Sequence, residues 1–420
     1  MNNMNKKIII VFVTIVLGCT QLLAVDYVSL TPLDRKALPE ISNRSVGREL
    51  VRFALTNDLI WDKNKSILVK ENFSIKTVMD VLSSLSKTTE QHVESFSCKY
   101  WSKTPQGDSL LVSGSIYLPR KRKLNGIIIA NHYTIAKNAE APSNAYQMEC
   151  IYALKGYAVI MPDYVGYGLT RDRVHPYLHW RNAAQTAVDL LDCMPELLDY
   201  YGYIYPKDVV ITGYSQGGAV ALGVARLLEE RAMYGDGNEL QWTIRKLYAG
   251  AGPYNPAATY DYCVKNDMIG YPAVLPLIVM GMNEAYGLKF QLKDFFYEPL
   301  VSNYDNWIAS KEYTLEQIST MMGSSYLSDL MLQQALDRRC PMANLLYTAL
   351  LMNNNVGYNL QAPAYFLHSL DDEVVPVINT IAVRDNMPNN PNVVYDLGHY
   401  GSHIEGALIF VKNVFQDLIH

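Results

Sequence analysis

The sequence predicts an α/β fold, in which a mostly parallel central sheet is covered by helices on both faces and carries a helical insertion. Through most of the chain, apolar runs of strand length alternate with segments of helical periodicity. One such run, at residues 209–211, leads through the turn 213–217 into a helical pattern. The alternation stops after Pro253 and resumes at Ala364, which indicates an insertion between two core strands.

The elements follow from local patterns. The strands are predicted at residues 94–102, 110–118, 126–130, 157–161, 209–212, 246–252, 364–368 and 392–396. The first two are separated by turn residues and form an antiparallel hairpin, whereas the later runs are continuously apolar, as in a buried parallel sheet. Helices are predicted at residues 144–154, 181–200, 219–228 and 405–418.

Four parts of the chain are therefore expected: a targeting segment at 1–24, an N-terminal extension at 26–90, a core formed by 91–253 with 361–420, and a helical cap at 254–360. The extension is mixed and partly helical, with helical periodicity at 78–85. An insertion between core strands usually lies over the carboxyl edge of the sheet, where active sites are found. The Met and Tyr content of the cap is typical of internal packing and also suits a substrate pocket.

The N-terminus has the features of an export signal. Lys6 and Lys7 precede an apolar run at 8–17, which is too short to span a bilayer. Two processing points follow it, namely lipidation of Cys19 in a lipobox-like sequence or cleavage after Ala24. Either route exports the protein, which we expect to be periplasmic, anchored to the outer membrane of a bacterium through Cys19, or secreted.

Composition argues against nucleic acid as a partner. The 36 Lys and Arg residues and the 41 Asp and Glu residues give a net charge of −5. The densest basic cluster, at 120–123, falls in a predicted turn, where solvation explains it. No C-x-x-C or metal-like spacing occurs among the cysteines, no ligand cluster is evident, and we predict no metal and no cofactor. Besides Cys19, five cysteines allow at most two disulfides: Cys98, Cys150, Cys193, Cys263 and Cys340.

Ser215 is the candidate nucleophile. It lies at the centre of Gly-Tyr-Ser-Gln-Gly, between a β-branched strand and a helix. Gly213 and Gly217 leave room for a sharp strand-to-helix turn, which lifts the hydroxyl clear of the sheet. The start of the helix then faces any negative charge that develops beside the serine.

A serine nucleophile needs an orienting acid, and two candidates follow the predicted strand 364–368. We favour Asp372, which begins the pattern Asp-Glu-Val-Val-Pro, over its neighbour Asp371. An acid in this turn points to the same sheet edge as Ser215. His368 ends the strand and is interpreted as a structural residue.

The candidate bases are His399 and His403, on the loop between the last predicted strand and the terminal helix. We favour His403 because it lies at the start of that helix, on a loop that can reach back over the sheet edge. The order Ser215, Asp372, His403 then matches the nucleophile–acid–base order expected of a strand–turn–helix serine site.

With this order the chain resembles the α/β-hydrolase superfamily over residues 94–420, with the cap as its variable insertion. Two further segments resemble the secretory lipase and esterase-like branch. Residues 161–168, Met-Pro-Asp-Tyr-Val-Gly-Tyr-Gly, contain that branch's P-D-Y-x-G-x-G turn, and residues 175–178, His-Pro-Tyr-Leu, match its H-P-Y-L segment. The resemblance implies an α/β-hydrolase fold and serine hydrolase chemistry.

The resemblance also implies an oxyanion hole made of two backbone N–H groups. One would belong to Gln216, directly after the nucleophile. The other would come from the loop after strand 126–130, which departs from the family's HGGG pattern, so both Tyr133 and Thr134 are candidates. His132, on the same loop, is interpreted as shaping the loop and not as a base.

The leading hypothesis is an exported serine esterase or lipase that cleaves small-molecule or lipid esters through an acyl-enzyme on Ser215. One alternative is a serine peptidase of the same fold, although no propeller-like repeat and no carboxylate pair for a peptide amino terminus is evident. Another is a non-catalytic binding protein on a hydrolase scaffold, but all three triad candidates are present.

Overall fold

The structure, a computed structural model, describes residues 27–29, 34–42, 61–62, 67–68, 80, 92–145, 147–235, 241–387 and 390–418. The predicted export signal at 1–24, with Cys19, lies outside these residues, as does the predicted helix at 78–85 apart from residue 80. None of the helices in the described ranges is long and apolar enough to cross a membrane.

The strands of the described residues are β1 (Tyr27–Ser29), β2 (Asp34–Ser42), β3 (Trp61–Asp62), β4 (Ile67–Leu68), β5 (His92–Lys103), β6 (Ser109–Pro119), β7 (Gly126–Asn131), β8 (Tyr157–Pro162), β9 (Asp208–Tyr214), β10 (Thr243–Gly250), β11 (Ala364–Ser369) and β12 (Val393–Gly398).

The α-helices of the same residues are α1 (Trp180–Tyr200), α2 (Gln216–Tyr234), α3 (Pro256–Asn266), α4 (Val274–Tyr286), α5 (Leu300–Tyr304), α6 (Leu315–Met322), α7 (Leu327–Leu330), α8 (Gln333–Leu336), α9 (Pro341–Met352), α10 (Ile378–Asn386) and α11 (His403–Asp417).

In the part of the chain that the structure describes, ten strands form one sheet in the order β1-β2-β5-β6-β8-β7-β9-β10-β11-β12. The six strands from β8 to β12 in this order are mutually parallel, and the other four join them by antiparallel pairing. Each predicted strand overlaps one of β5–β12, and the predicted α/β fold is confirmed.

Alternate residues of the central strands face two different cores. In β7, Ile127 and Ile129 pack in a cluster with α1 and α2, whereas Ile128 and Ala130 pack in a cluster with α11. A strand buried on both faces does not alternate between apolar and polar residues, because neither face contacts water. This explains why the sequence of β7 is an unbroken apolar run.

The predicted helix at 144–154 is wrong in type and extent, because the structure has a 3-10 helix at Met148–Lys155. The residues before it are held by the neighbouring loop: Ser143 N–H donates to the Asp163 carboxylate (2.8 Å), and Asn144 Nδ2 donates to the Asn138 carbonyl (2.9 Å). Residues 149–155 are all buried, so their apolar spacing does not distinguish one helix type from another.

The segment between β10 and β11 holds α3–α9 and has its own apolar core. Met282, Met322 and Met331 are buried in that core, so these methionines serve internal packing.

Helix α4 of this segment packs closely against the H-P-Y-L residues 175–178. A Cβ atom added at Gly281 would lie 2.4 Å from the Tyr177 backbone nitrogen. Nearby, Gln106 Nε2 donates to the Glu284 carbonyl (2.8 Å). The close approach therefore requires a glycine at position 281.

We predict that Gly281→Ala lowers the free energy of unfolding by about 1–2 kcal/mol, because the overpacking cost exceeds the roughly 0.5–1 kcal/mol that alanine gains in a helix. Chemical denaturation measures the change. The matched control is Gly357→Ala, since a Cβ there meets no atom within 4 Å. Equal stability of the two variants would contradict the tight docking of α4.

Candidate active site

Ser215 lies between β9 and α2 in a strained conformation, with φ 58° and ψ −127°. Its N–H donates to the Gly250 carbonyl (2.9 Å), which holds the turn against β10. A Cβ at Gly217 would lie 2.0 Å from the Asn131 carbonyl oxygen, and one at Gly213 would lie 2.1 Å from the Gly217 carbonyl oxygen. The two glycines therefore allow the sharp turn that the sequence predicts.

His403 and Asp372 form a buried pair at the same edge of the sheet. His403 Nδ1 and Asp372 Oδ2 lie 2.6 Å apart, and the Asp372 side chain is fully buried. The other carboxylate oxygen, Oδ1, accepts the N–H groups of Val374 (2.9 Å) and Val375 (2.8 Å). Because Nδ1 faces the carboxylate, Nε2 points away from it and is available to accept a proton.

The charge environment keeps Asp372 ionised. Burial alone raises the pKa of Asp372, but attraction to His403 and hydrogen bonds from His368 and His403 outweigh it and hold the pKa well below its usual range. His368 Nε2 lies 3.4 Å from Asp372 Oδ2 and donates to the Val375 carbonyl (2.8 Å). This supports the interpretation of His368 as a structural residue.

Two residues that the sequence analysis missed hold the backbone of His403. The Tyr214 hydroxyl donates to the His403 carbonyl (2.8 Å), and the two rings lie 5.0 Å apart. Glu373 Oε2 accepts the His403 N–H (3.1 Å). Since Tyr214 directly precedes Ser215, the first contact ties the histidine to the turn.

The alternative acid and base pair with each other at the protein surface. His399 Nδ1 lies 2.8 Å from Asp371 Oδ1, and the His399 side chain is 77% exposed. The structure therefore separates the four candidates into a buried pair, whose histidine ring lies against Tyr214 directly before Ser215, and a solvent-exposed pair.

The loop after β7 lies against the start of α2. The carbonyl oxygens of Asn131 and His132 both border Gly217, at 2.0 Å and 2.8 Å from an added Cβ. Tyr133 is 42% exposed, and the Thr134 hydroxyl is 2.8 Å from the Tyr177 hydroxyl. The structure thus brings this loop next to Gln216, and both Tyr133 and Thr134 remain candidates for the second donor.

His132 is buried inside the same loop. Burial lowers the pKa of His132 to about 4, so the ring is neutral at pH 7. Its ring nitrogens face the carbonyls of Tyr133 (2.7 Å) and Asp163 (3.2 Å), and it stacks on Tyr164 at 4.1 Å. These contacts support the interpretation that His132 shapes the loop.

The side chain of Gln216 is held by His175 of the H-P-Y-L segment. Gln216 Nε2 donates to His175 Nε2 (2.8 Å), and His175 Nδ1–H donates to the Val165 carbonyl (2.7 Å). Burial lowers the pKa of His175 to about 3, so Nε2 is free to accept. The histidine of the H-P-Y-L motif, to which the sequence analysis gave no role, was the signal that could have identified this contact.

Within the described residues, no group of three His, Cys, Asp or Glu side chains is placed to hold a metal ion. Free thiols are found at Cys98, Cys150, Cys193, Cys263 and Cys340.

The depressed pKa of Asp372 predicts a pH dependence of stability. A carboxylate whose folded pKa lies below its unfolded value of about 3.9 stabilises the fold above that pH, and the stabilisation is lost as the pH falls through the folded pKa. We expect the loss of unfolding free energy caused by Asp372→Asn to shrink from about pH 5.5 to about pH 3. Denaturant titrations at both pH values measure it.

The matched control is Asp371→Asn, which removes a carboxylate from the exposed pair and should change the unfolding free energy little at either pH. An Asp372→Asn effect that stays constant or grows on acidification would show that the carboxylate is not stabilised by its partners.

Comparison with known proteins agrees with this architecture. A model of the alpha/beta hydrolase family matches residues 146–406. A search of curated proteins found no match.

Experimentally determined structures with similar folds include hydrolases of three organisms. The rice cell wall degrading esterase LipA from Xanthomonas oryzae has a TM-score of 0.67 at 19% identity, covering 81% of this chain and 92% of that one. A putative hydrolase from Legionella pneumophila has a TM-score of 0.70 at 17% identity, covering 91% and 97%. Candida antarctica lipase A has a TM-score of 0.57 at 16% identity, covering 74% and 73%.

At these identities the structural likeness shows the fold alone, whereas the family model spans more than half of the sequence. The chain belongs to the alpha/beta hydrolase family.

Proposed function

We propose that the protein is a serine hydrolase that cleaves carboxylic esters through an acyl-enzyme on Ser215. The observation that carries this proposal is the buried His403–Asp372 pair (2.6 Å), whose histidine contacts Tyr214, the residue directly before a serine held in a strained strand-to-helix turn. A nucleophile, a base and an orienting acid in this arrangement are what acyl transfer requires.

In the first half of the reaction, His403 Nε2 takes the Ser215 hydroxyl proton as Oγ forms a bond to the acyl carbon. Asp372 holds the ring and stabilises the imidazolium that results. The tetrahedral intermediate then collapses, the ester C–O bond breaks, and the alcohol leaves with the proton from His403. In the second half, water repeats the sequence and releases the acid.

The negative oxygen of the intermediate would accept the Gln216 N–H at the start of α2, where the helix dipole adds to the stabilisation. A second N–H, from Tyr133 or Thr134, would complete the oxyanion hole. In other enzymes each such donor contributes roughly 3–4 kcal/mol to the transition state.

Two observations favour esters with an apolar group. Beside Gln216 lies a narrow cleft, and its lining includes the apolar residues Leu178, Trp180 and Pro253 together with polar His179 and Asn353. Apolar walls of this kind suit an acyl chain or an aryl group. In addition, two of the structural relatives are named as an esterase and a lipase.

We predict that Ser215→Ala and His403→Ala each lower kcat for ester hydrolysis by about 10⁴-fold or more, because the members of a triad act as a unit. His399→Ala is the matched control, since its ring lies in the exposed pair, and we expect a change of less than about threefold. Activity that survives His403→Ala but not His399→Ala would reverse the assignment of the base.

The substrate class is tested with p-nitrophenyl esters from acetate to palmitate, wild type beside Ser215→Ala. Serine-dependent hydrolysis with an optimum chain length supports an esterase or lipase. If no ester is hydrolysed while peptide substrates are, the protein is a peptidase. If neither class is turned over, the binding-protein alternative gains support.

A further inference from the structure

Lys311 is a buried lysine of the helical insertion. In the hydrogen bonds described, its ammonium group donates only to backbone carbonyls of the core. Nζ donates to the carbonyls of Gly166, Arg171 (2.6 Å) and Arg173 (2.5 Å). An ammonium has three N–H donors, so these three acceptors use all of them.

Burying a charge in this way is costly unless its donors are satisfied. Burial lowers the pKa of Lys311 to about 8. The nearby charge of Asp172 raises this pKa and that of Arg171 lowers it further. Because the pKa stays above 7, the ammonium group keeps all three protons at pH 7. The Tyr167 ring lies 5.3 Å from Nζ. The Arg171 side chain itself pairs with Glu312 (3.1 Å) on the exposed surface.

The main chain of Lys311 is attached to the core at the same place. Its carbonyl accepts the Asn138 N–H (2.8 Å), and Asn138 Oδ1 accepts the Gly168 N–H (2.8 Å). One residue of the insertion therefore holds the loop 166–173 through both its side chain and its backbone.

The loop 166–173 contacts His175, which in turn contacts Gln216, the residue that follows the proposed nucleophile. A Cβ at Gly166 would lie 2.5 Å from the His175 Cα atom, so the two backbones are in direct contact. The preceding carbonyl, that of Val165, accepts His175 Nδ1–H, and His175 Nε2 accepts from Gln216. A shift of the loop must therefore move His175 and, through it, Gln216.

We propose that Lys311 is a positioning residue for catalysis. By holding the loop 166–173 it fixes His175 and thereby the Gln216 N–H that faces the developing oxyanion, so that the catalytic rate depends on docking of the helical insertion. This inference rests on the proposed function, since it assigns Gln216 to the oxyanion hole.

The test compares Lys311→Met with Glu312→Gln, which removes the neighbouring exposed contact between insertion and core. We expect Lys311→Met to lower kcat on p-nitrophenyl butyrate about 10- to 100-fold, with KM changed less than about threefold, because a misplaced donor acts mainly in the transition state. Glu312→Gln should stay within about twofold of wild type.

A double-mutant cycle separates positioning from a general loss of structure. Gln216→Met removes the side-chain link to His175 but keeps the backbone N–H. If Lys311 acts through that link, Lys311→Met should lower kcat less than about threefold in the Gln216→Met background. Additive losses, or an equal rise in KM, would overturn the proposal.

Two further measurements keep the test decisive. If Lys311→Met does not fold, Lys311→Arg replaces it, because a planar guanidinium cannot place three donors of one nitrogen on three carbonyls. The same loss of kcat is expected for Lys311→Arg, and a wild-type kcat would overturn the proposal.

The rate of Ser215 labelling by a fluorophosphonate is measured in every variant, since that reaction also uses the oxyanion hole. If wild type is labelled but hydrolyses no ester, the ester proposal fails, and the labelling rates still decide the role of Lys311.

Discussion

The start of α2 approaches the ends of its neighbouring strands more closely than side chains would allow. A Cβ at Gly217 would meet the Asn131 carbonyl at the end of β7, and one at Gly218 would lie 2.4 Å from the Gly250 carbonyl at the end of β10. Ser215 adopts its strained conformation inside this contact, and its N–H still finds an acceptor on β10. The loops after β7, β11 and β12 then supply the remaining parts of the site at the same sheet edge.

The residues on either side of the serine connect it to opposite parts of the molecule. Tyr214 holds the first turn of α11 through the His403 carbonyl, which ties the proposed base to the strand that carries the proposed nucleophile. Gln216 is held by His175, which follows the loop that Lys311 of the insertion fixes. The proposed acid and base are thus held by the core, whereas the proposed oxyanion side also depends, in our proposal, on the insertion.

The strands and the candidate triad could be predicted because each depends on a local pattern: apolar runs, a Gly-flanked serine, and acids and histidines at strand ends. The choice between the neighbouring acids Asp371 and Asp372 required the three-dimensional structure. Asp372 turns inward where it caps the N–H groups of Val374 and Val375, and Asp371 does not. Contacts such as Gln216 with His175, 41 residues apart, leave no periodic trace in the sequence. The helix predicted at 144–154 was wrong in type and extent, because burial on all sides leaves no amphipathic pattern that would mark a 3-10 helix at Met148–Lys155.

The most direct test of the account is a crystal structure of the protein after reaction with a fluorophosphonate, in which the phosphoryl oxygen takes the place of the oxyanion. We predict phosphorus bonded to Ser215 Oγ, with that oxygen about 2.7–3.1 Å from the Gln216 nitrogen and from the backbone nitrogen of Tyr133 or Thr134. His403 should remain paired with Asp372. An adduct on another residue, or a phosphoryl oxygen directed away from Gln216, would contradict the proposed site.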